Sequence, residues 1–245
     1  SCIDFIEKHC FDADGHMYFE VTENGTPLRK RRYVFSECFA VIAMSEYAIA
    51  SGDKTYAEKA LALFKRIQRF LSTPGFLEPK YLPALQARGH SITMILINTA
   101  SRVRAAISDP ILDTQIDESL AAIRKYFIHP EFKALLEMVG KDGEFIDTCN
   151  GRVINPGHCI ETSWFILEEA RYRDWDKDLV RTALQILDWS WEWGWDKEYG
   201  GLFYFMDRKG YPLQQLEWDQ KLWWVHIETL ISLLKAYQLT GDKKC

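Results

Sequence analysis

His158 and Glu161 stand one helical turn apart in the run Asn155-Pro156-Gly157-His158-Cys159-Ile160-Glu161. Asn-Pro-Gly is a turn, so His158 falls in the first turn of a helix and Glu161 follows on the same face. A helix N-terminus disfavours imidazolium, which keeps His158 neutral and able to take a proton. In this reading Glu161 holds the other ring nitrogen and fixes the tautomer. The plainer alternative is that both side chains only cap the helix.

A second group lies in Trp218-Asp219-Gln220-Lys221-Leu222-Trp223-Trp224-Val225-His226-Ile227-Glu228. Helical spacing puts Trp224 and Glu228 on one face beside Lys221. A carboxylate next to a large aromatic platform suits a pyranose, whose flat face meets the ring while the acid takes hydroxyls. Alternatively the tryptophans are core and Glu228 pairs with Lys221. A third group, Arg88-Gly89-His90-Ser91, again sets a histidine at a helix start, where a cap is the simpler role. His9, His16 and His129 have no comparable setting. No GxGxxG, P-loop or HExxH occurs, so dinucleotide, phosphate-loop and zincin chemistry find no support.

The elements that must position these groups are mostly helices. Apolar residues recur at helical spacing over Val34–Ser51, from Asp53 to Leu71, and over Ser91–Ile107 and Asp113–Phe127. The same pattern covers Pro156–Tyr172, Asp176–Trp193 and Glu217–Leu239, with short loops that make helical hairpins. Between them recurs an aromatic, alternating run followed by a Gly turn, which predicts a small β-hairpin. The copies are Asp14–Glu20 with Gly25–Leu28, Gly200–Met206 with Gly210–Leu213, and a fainter Asp142–Asp147 with Gly151-Arg152. Gly15 and Gly143 are 128 residues apart and Gly143 and Gly201 are 58 apart, which predicts a unit of roughly 60 residues. Stacked units of two helices and a hairpin bury one continuous core. The expected fold is all-α, an (α/α)6 toroid, as a single domain over residues 1–245. About eight helices are legible where six pairs need twelve, so either the ring is incomplete or the chain is a piece of a longer protein.

Composition narrows the partners. With 245 residues, 47% hydrophobic, the chain can bury a sizeable core. A net charge of -5 argues against nucleic acid, whose phosphates need a concentrated positive face. The basic run Arg29-Lys30-Arg31-Arg32 reads as a solvated turn. No stretch approaches the ~18 apolar residues of a membrane span, and the first residues lack the basic start of a signal peptide. Cys2, Cys10, Cys38, Cys149, Cys159 and Cys245 are scattered without a CxxC pair, which predicts reduced thiols in a cytoplasmic protein and no metal site.

Four words in order resemble the N-acylglucosamine 2-epimerase (renin-binding protein) family: Tyr33-Val34-Phe35-Ser36-Glu37-Cys38-Phe39-Ala40, Asn155-Pro156-Gly157-His158 with Glu161, Gly200-Gly201-Leu202-Phe203-Tyr204-Phe205, and Leu216-Glu217-Trp218 with Lys221-Leu222-Trp223-Trp224 and His226-Ile227-Glu228. The resemblance spans nearly the whole chain. It implies an (α/α)6 barrel, commonly a homodimer, that interconverts N-acetylglucosamine and N-acetylmannosamine through the open-chain aldehyde by moving the C2 proton. By the same resemblance His158 matches one of two catalytic histidines, with Glu161 and Glu228 as the site's carboxylates. His90 is similar to a substrate-binding histidine of the mannose-isomerase and cellobiose-epimerase branches, and Trp224 and Asn155 are expected to contact the sugar. No cofactor is implied, although a nucleotide activates some members.

Two departures stand out. The family's second base sits in a Phe-His-x-Pro-Arg-like word that this sequence lacks, and an early-helix arginine has no counterpart. Three functions follow as expectations: an N-acylhexosamine 2-epimerase, favoured by Phe-Ser-Glu-Cys-Phe and Leu-Glu-Trp; an aldose–ketose isomerase or cellobiose 2-epimerase, favoured by His90; and a non-catalytic sugar- or protein-binding toroid.

Overall fold

The computed structural model describes residues 2–30, 33–77 and 85–242. Eight α-helices lie among them: α1 (Cys2–His9), α2 (Phe35–Ser51), α3 (Lys54–Ser72), α4 (His90–Ala106), α5 (Pro110–Ala122), α6 (Pro156–Tyr172), α7 (Lys177–Gly194) and α8 (Trp223–Thr240). The strands are short: β1 (Tyr18–Val21), β2 (Pro27–Lys30), β3 (Ala87–Gly89), β4 (Ile128–His129), β5 (Ala134–Leu135), β6 (Met138–Gly140), β7 (Val153–Ile154) and β8 (Met206–Asp207). They form four antiparallel pairs, β1–β2, β3–β6, β4–β5 and β7–β8. No described helix is long and apolar enough to cross a membrane. Cys2, Cys10, Cys38, Cys149 and Cys159 are free thiols; Cys245 lies outside the described residues.

Chain contacts gather into two compact units, Ser1–Leu85 with Ile95–Asp117, and Gln86–Met94 with Glu118–Cys245. In the first, α2 and α3 pack as a hairpin. Ala57, Ala60, Leu63, Phe64, Ile67 and Phe70 of α3 are buried at helical spacing, so one face of the helix supplies its stability. Asp53 caps α3 by accepting the Thr55 N–H at 3.0 Å, as the sequence predicts. The basic run is partly neutralised: Lys30 meets Asp12 at 2.7 Å and Asp14 at 2.6 Å, while Arg31 and Arg32 lie outside the described residues. His16, for which the sequence offers no setting, is buried and hydrogen-bonded to the buried Glu37 carboxylate, which also accepts the Met17 N–H at 2.5 Å.

In the second unit α6 packs against both α7 and α8. It buries residues around most of its circumference, among them Cys159, Ile160, Thr162, Ser163, Phe165 and Ile166, which marks a core helix. Small polar side chains let the neighbours come close. The Ser163 hydroxyl donates to the Ala183 carbonyl at 2.9 Å, and that of Ser232 reaches Ser163 at 3.4 Å. Asp176 caps α7 through the Asp178 and Leu179 N–H groups, both at 2.9 Å.

Three expectations need correction. Only the first predicted hairpin forms as such, β1 against β2. Instead Val153-Ile154, just after the fainter copy, pairs with Met206-Asp207 at the end of the Gly200–Met206 run, Val153 opposite Asp207 and Ile154 opposite Met206. The run Gly200–Phe205 finds its partners elsewhere, with Phe203 N–H donating to Gly194, Tyr204 N–H to Gln220 and Phe205 N–H to Trp218. Those last two bonds explain the second correction. Residues 217–222 serve as carbonyl supports rather than as helix, so α8 starts at Trp223 and Lys221 is not on it. The fourth predicted helix, expected over Asp113–Phe127, runs instead as α5 and then a π-helical turn over Ile123–Phe127.

Candidate active site

Asn155 follows β7 and opens α6. Its side-chain oxygen accepts the His158 N–H at 3.1 Å, and Pro156 fills the first helical position, where its missing N–H costs nothing. This cap fixes His158 at the helix start with its side chain 27% exposed. Asn155 itself is buried, so the residue expected to touch sugar serves as the cap of α6.

The His158 ring meets a carboxylate from outside its own helix. Its Nδ1 faces Glu137 Oε2 at 3.1 Å, a residue absent from the sequence-based site. Glu137 lies between β5 and β6, and its backbone is fixed on both sides: its N–H donates to Val153 at 3.3 Å and its carbonyl accepts the His90 N–H at 3.0 Å. The Cys159 thiol, donating to the Leu135 carbonyl at 3.4 Å, holds α6 against the same segment. Burial would push the Glu137 carboxyl up, but the His158 and His90 imidazoles outweigh it and hold it well below the ordinary carboxylate range. A lone acid inside the apolar run Ala134–Val139 was the available sequence signal, because Glu is seldom buried without a partner.

His90 lies beneath this pair rather than at its surface. Its ring is fully buried, edge-on to Phe127 at 5.5 Å, with Nε2 3.0 Å from the Thr162 hydroxyl and Nδ1 3.8 Å from Glu137 Oε2. Glu161, on α6, feels burial first, then the His158 charge against it and the Glu228 and Glu137 charges with it. The net effect pushes its carboxyl up to about 7. Glu228 is raised by burial and opposed by the Trp164 indole, which donates to its Oε2 at 2.7 Å. The alternative Glu228–Lys221 pair does not form, because Lys221 binds Asp196 at 2.6 Å.

Trp224 stands against His158 with ring centroids 5.8 Å apart and meets Tyr204 edge-on, also at 5.8 Å. Gly157 permits this approach. A Cβ there would sit 2.5 Å from the Trp224 ring and 3.1 Å from Val225, so any side chain would drive α8 and its indole away. The turn that carries Tyr204 is pinned by His226, whose Nδ1 donates to the Leu222 carbonyl at 2.7 Å while Nε2 accepts the Leu202 N–H at 3.0 Å. Gly201, at φ +82°, would place a Cβ 3.0 Å from the His226 ring, which is why glycine suits this turn. All these residues belong to the second unit.

The arrangement is therefore one partly exposed imidazole, three carboxylates and a wall of Trp224, Trp164 and Tyr204. One carboxyl, Glu161, is pushed by burial up to about 7, which suits a group that exchanges protons near neutral pH. Among the described residues no group of three or more His, Cys, Asp or Glu could hold a metal ion. An open groove of about 680 Å³ along α7, lined by Trp175, Leu184, Asp188 and Trp189, has no histidine and no paired carboxylates.

The model of the N-acylglucosamine 2-epimerase (GlcNAc 2-epimerase) family matches residues 1–245. The chain belongs to that family. It is 34% identical over 227 residues to the N-acylglucosamine 2-epimerase of Bos taurus, covering 91% of this chain and 54% of that protein. The enzyme of the same name from Homo sapiens is 32% identical over 238 residues, with 91% and 53% covered. The chain thus spans about half the length of these mammalian relatives. Among solved structures, the cellobiose 2-epimerase of Bacillus thermoamylovorans B4167 superposes with TM-score 0.81 at 20% identity over 98% of this chain and 64% of its own. A sugar epimerase from a ruminal bacterium gives TM-score 0.80 at 21% identity with the same coverage. The fold of this N-acylglucosamine 2-epimerase family member is accordingly all-α, of the (α/α)6-barrel class of those neighbours.

Proposed function

We propose that this protein interconverts N-acetyl-D-glucosamine and N-acetyl-D-mannosamine by moving the proton on C2 of the open-chain sugar. The observation that carries the reading is the partly exposed His158 imidazole, oriented through Nδ1 by Glu137, on the same helix as Glu161, whose carboxyl is raised to about 7. The aldehyde at C1 acidifies the C2 proton. His158 takes that proton through Nε2, and the electron pair moves into the C1–C2 bond as charge gathers on O1. Glu161, partly protonated near pH 7, supplies the proton to that oxygen. Return of a proton to the opposite face of C2 gives the epimer and requires a donor on that side. Trp224 and Glu228 hold the sugar, the indole against its apolar face and the carboxylate on hydroxyls. The work belongs in the cytoplasm, where the free thiols stay reduced, and a homodimer is the expected assembly.

The names of the mammalian relatives, at 34% and 32% identity, favour N-acyl sugars over cellobiose. His90, the residue that favoured the isomerase branch, has no surface to offer a sugar. Competition binding followed through the indole fluorescence of the site should rank N-acetylmannosamine and N-acetylglucosamine above mannose and cellobiose. Tighter binding of mannose, with fructose as product, would assign the site to aldose–ketose isomerisation instead.

A further inference from the structure

Glu137 Oε2 faces two imidazoles at once, His158 Nδ1 at 3.1 Å and His90 Nδ1 at 3.8 Å. The hydroxyl of Thr162 bears on the proton at His90 Nε2. It has one hydrogen, and within α6 that hydrogen goes to the His158 carbonyl four residues back, at 2.8 Å. At His90 Nε2, 3.0 Å away, Thr162 then acts as acceptor, so Nε2 carries a proton. Nδ1 of the same ring faces a carboxylate, and a bare nitrogen there would set two lone pairs against each other. His90 thus has a place for a proton on each nitrogen, on Nε2 toward the Thr162 hydroxyl and on Nδ1 toward the carboxylate 3.8 Å away, a separation for charge attraction rather than a hydrogen bond.

We propose that Glu137 is a positioning residue shared by the two histidines: it fixes His158 as the tautomer protonated on Nδ1, while His90, buried as an imidazolium, matches its charge. This assignment rests on the proposed role of His158 as a base. A lone carboxylate beside His158 would draw a proton onto it and leave no base. Matching that carboxylate with a second cation removes the pull while keeping the hydrogen bond that orients the ring. Other ionisable groups of the site are Glu161 on the same helix as His158, Glu228 on α8 and Tyr204 on the adjoining turn, whose phenol burial and nearby carboxylates push up. None is a cation, so His90 is the group of this set able to match Glu137. The rigid seat fits the role, since the His90 N–H donates to the Glu137 carbonyl and Gly89 lies opposite Met138 in the β3–β6 pair.

The test reads ring protonation directly, without sugar. In the ¹⁵N-labelled protein at pH 7, long-range proton–nitrogen spectra, assigned with single His→Gln variants, should show His158 protonated on Nδ1 alone and His90 protonated on both nitrogens. A His158 protonated on Nε2 alone, or a neutral His90, overturns the proposal whatever the activity. In Glu137→Gln, His90 should lose its charge and His158 should populate both tautomers, with kcat down roughly tenfold or more and KM within about twofold. Unchanged ring states in that variant, with only a lower Tm, would reduce Glu137 to a packing residue and overturn the role. Ring states as expected in a protein that moves no sugar proton would leave this assignment standing and sink the epimerase reading alone.

Discussion

Replacing His158 by Asn should lower sugar turnover by roughly a hundredfold or more, the usual contribution of a positioned base. The substitution leaves α6 intact, because the cap uses the backbone N–H of residue 158 and not its side chain. It removes the ring that Glu137 orients, and with it the proposed base for the C2 proton. Sugar affinity should change far less, since the proposed sugar contacts are Trp224 and Glu228. The kinetic signature is thus a fall in kcat with KM nearly unchanged. Single-turnover rates of the variant beside the parent protein check it. Normal turnover in the variant would leave His158 as a helix-start residue and nothing more.

The second large effect concerns stability and its pH dependence. Glu161 has its carboxyl pushed from the ordinary 4.5 to about 7, chiefly by burial. Between those values the folded protein binds a proton that the unfolded chain has lost, so stability must fall as pH rises through this window. The full loss corresponds to about 3 kcal/mol, at ~1.4 kcal/mol for each tenfold difference in proton affinity between the folded and unfolded chain. Glu161→Gln keeps the shape and removes the titration. The variant should match the parent near pH 4.5, exceed it by about 3 kcal/mol at pH 8, and lose activity. Denaturant melts at a series of pH values give the comparison. Equal stabilities at pH 8 would show that Glu161 ionises freely and cannot act near neutrality. The arrangement follows a general pattern in which a buried functional acid is held at a cost to the fold.

Much of this was legible in the residues themselves. Period and caps located the helices because their signals are local: Asp53, Asp176 and Gly241 mark ends that the structure also uses. Strand pairing is a long-range choice, and there the sequence pattern failed. The Gly200–Phe205 run alternates like a hairpin strand, yet its N–H groups are taken by Gly194, Trp218 and Gln220. The same choice moved the start of α8 to Trp223 and took Lys221 off its face. In the site, helical spacing paired His158 with Glu161 and Trp224 with Glu228, each pair on one helix, while only the family resemblance joined the two pairs. Glu137 could not be placed that way. Its partners are 21 residues ahead and 47 behind, and only the β3–β6 pairing and the buried Cys159 contact bring them within reach. Gly157 is similar, since its lack of a side chain makes sense only with Trp224 seated over it.

Movement of the proton on C2 of an N-acetylhexosamine is the event on which the proposed function stands or falls. Incubating the protein with N-acetylmannosamine in heavy water, and following the C2 proton signal by NMR, tests it most directly. The signal should fade as deuterium enters C2, N-acetylglucosamine carrying deuterium at C2 should accumulate, and Asn at position 158 should abolish the wash-in. A C2 proton that persists unchanged while the sugar is demonstrably bound would contradict the proposed chemistry, and would leave the protein a sugar-binding member of its family.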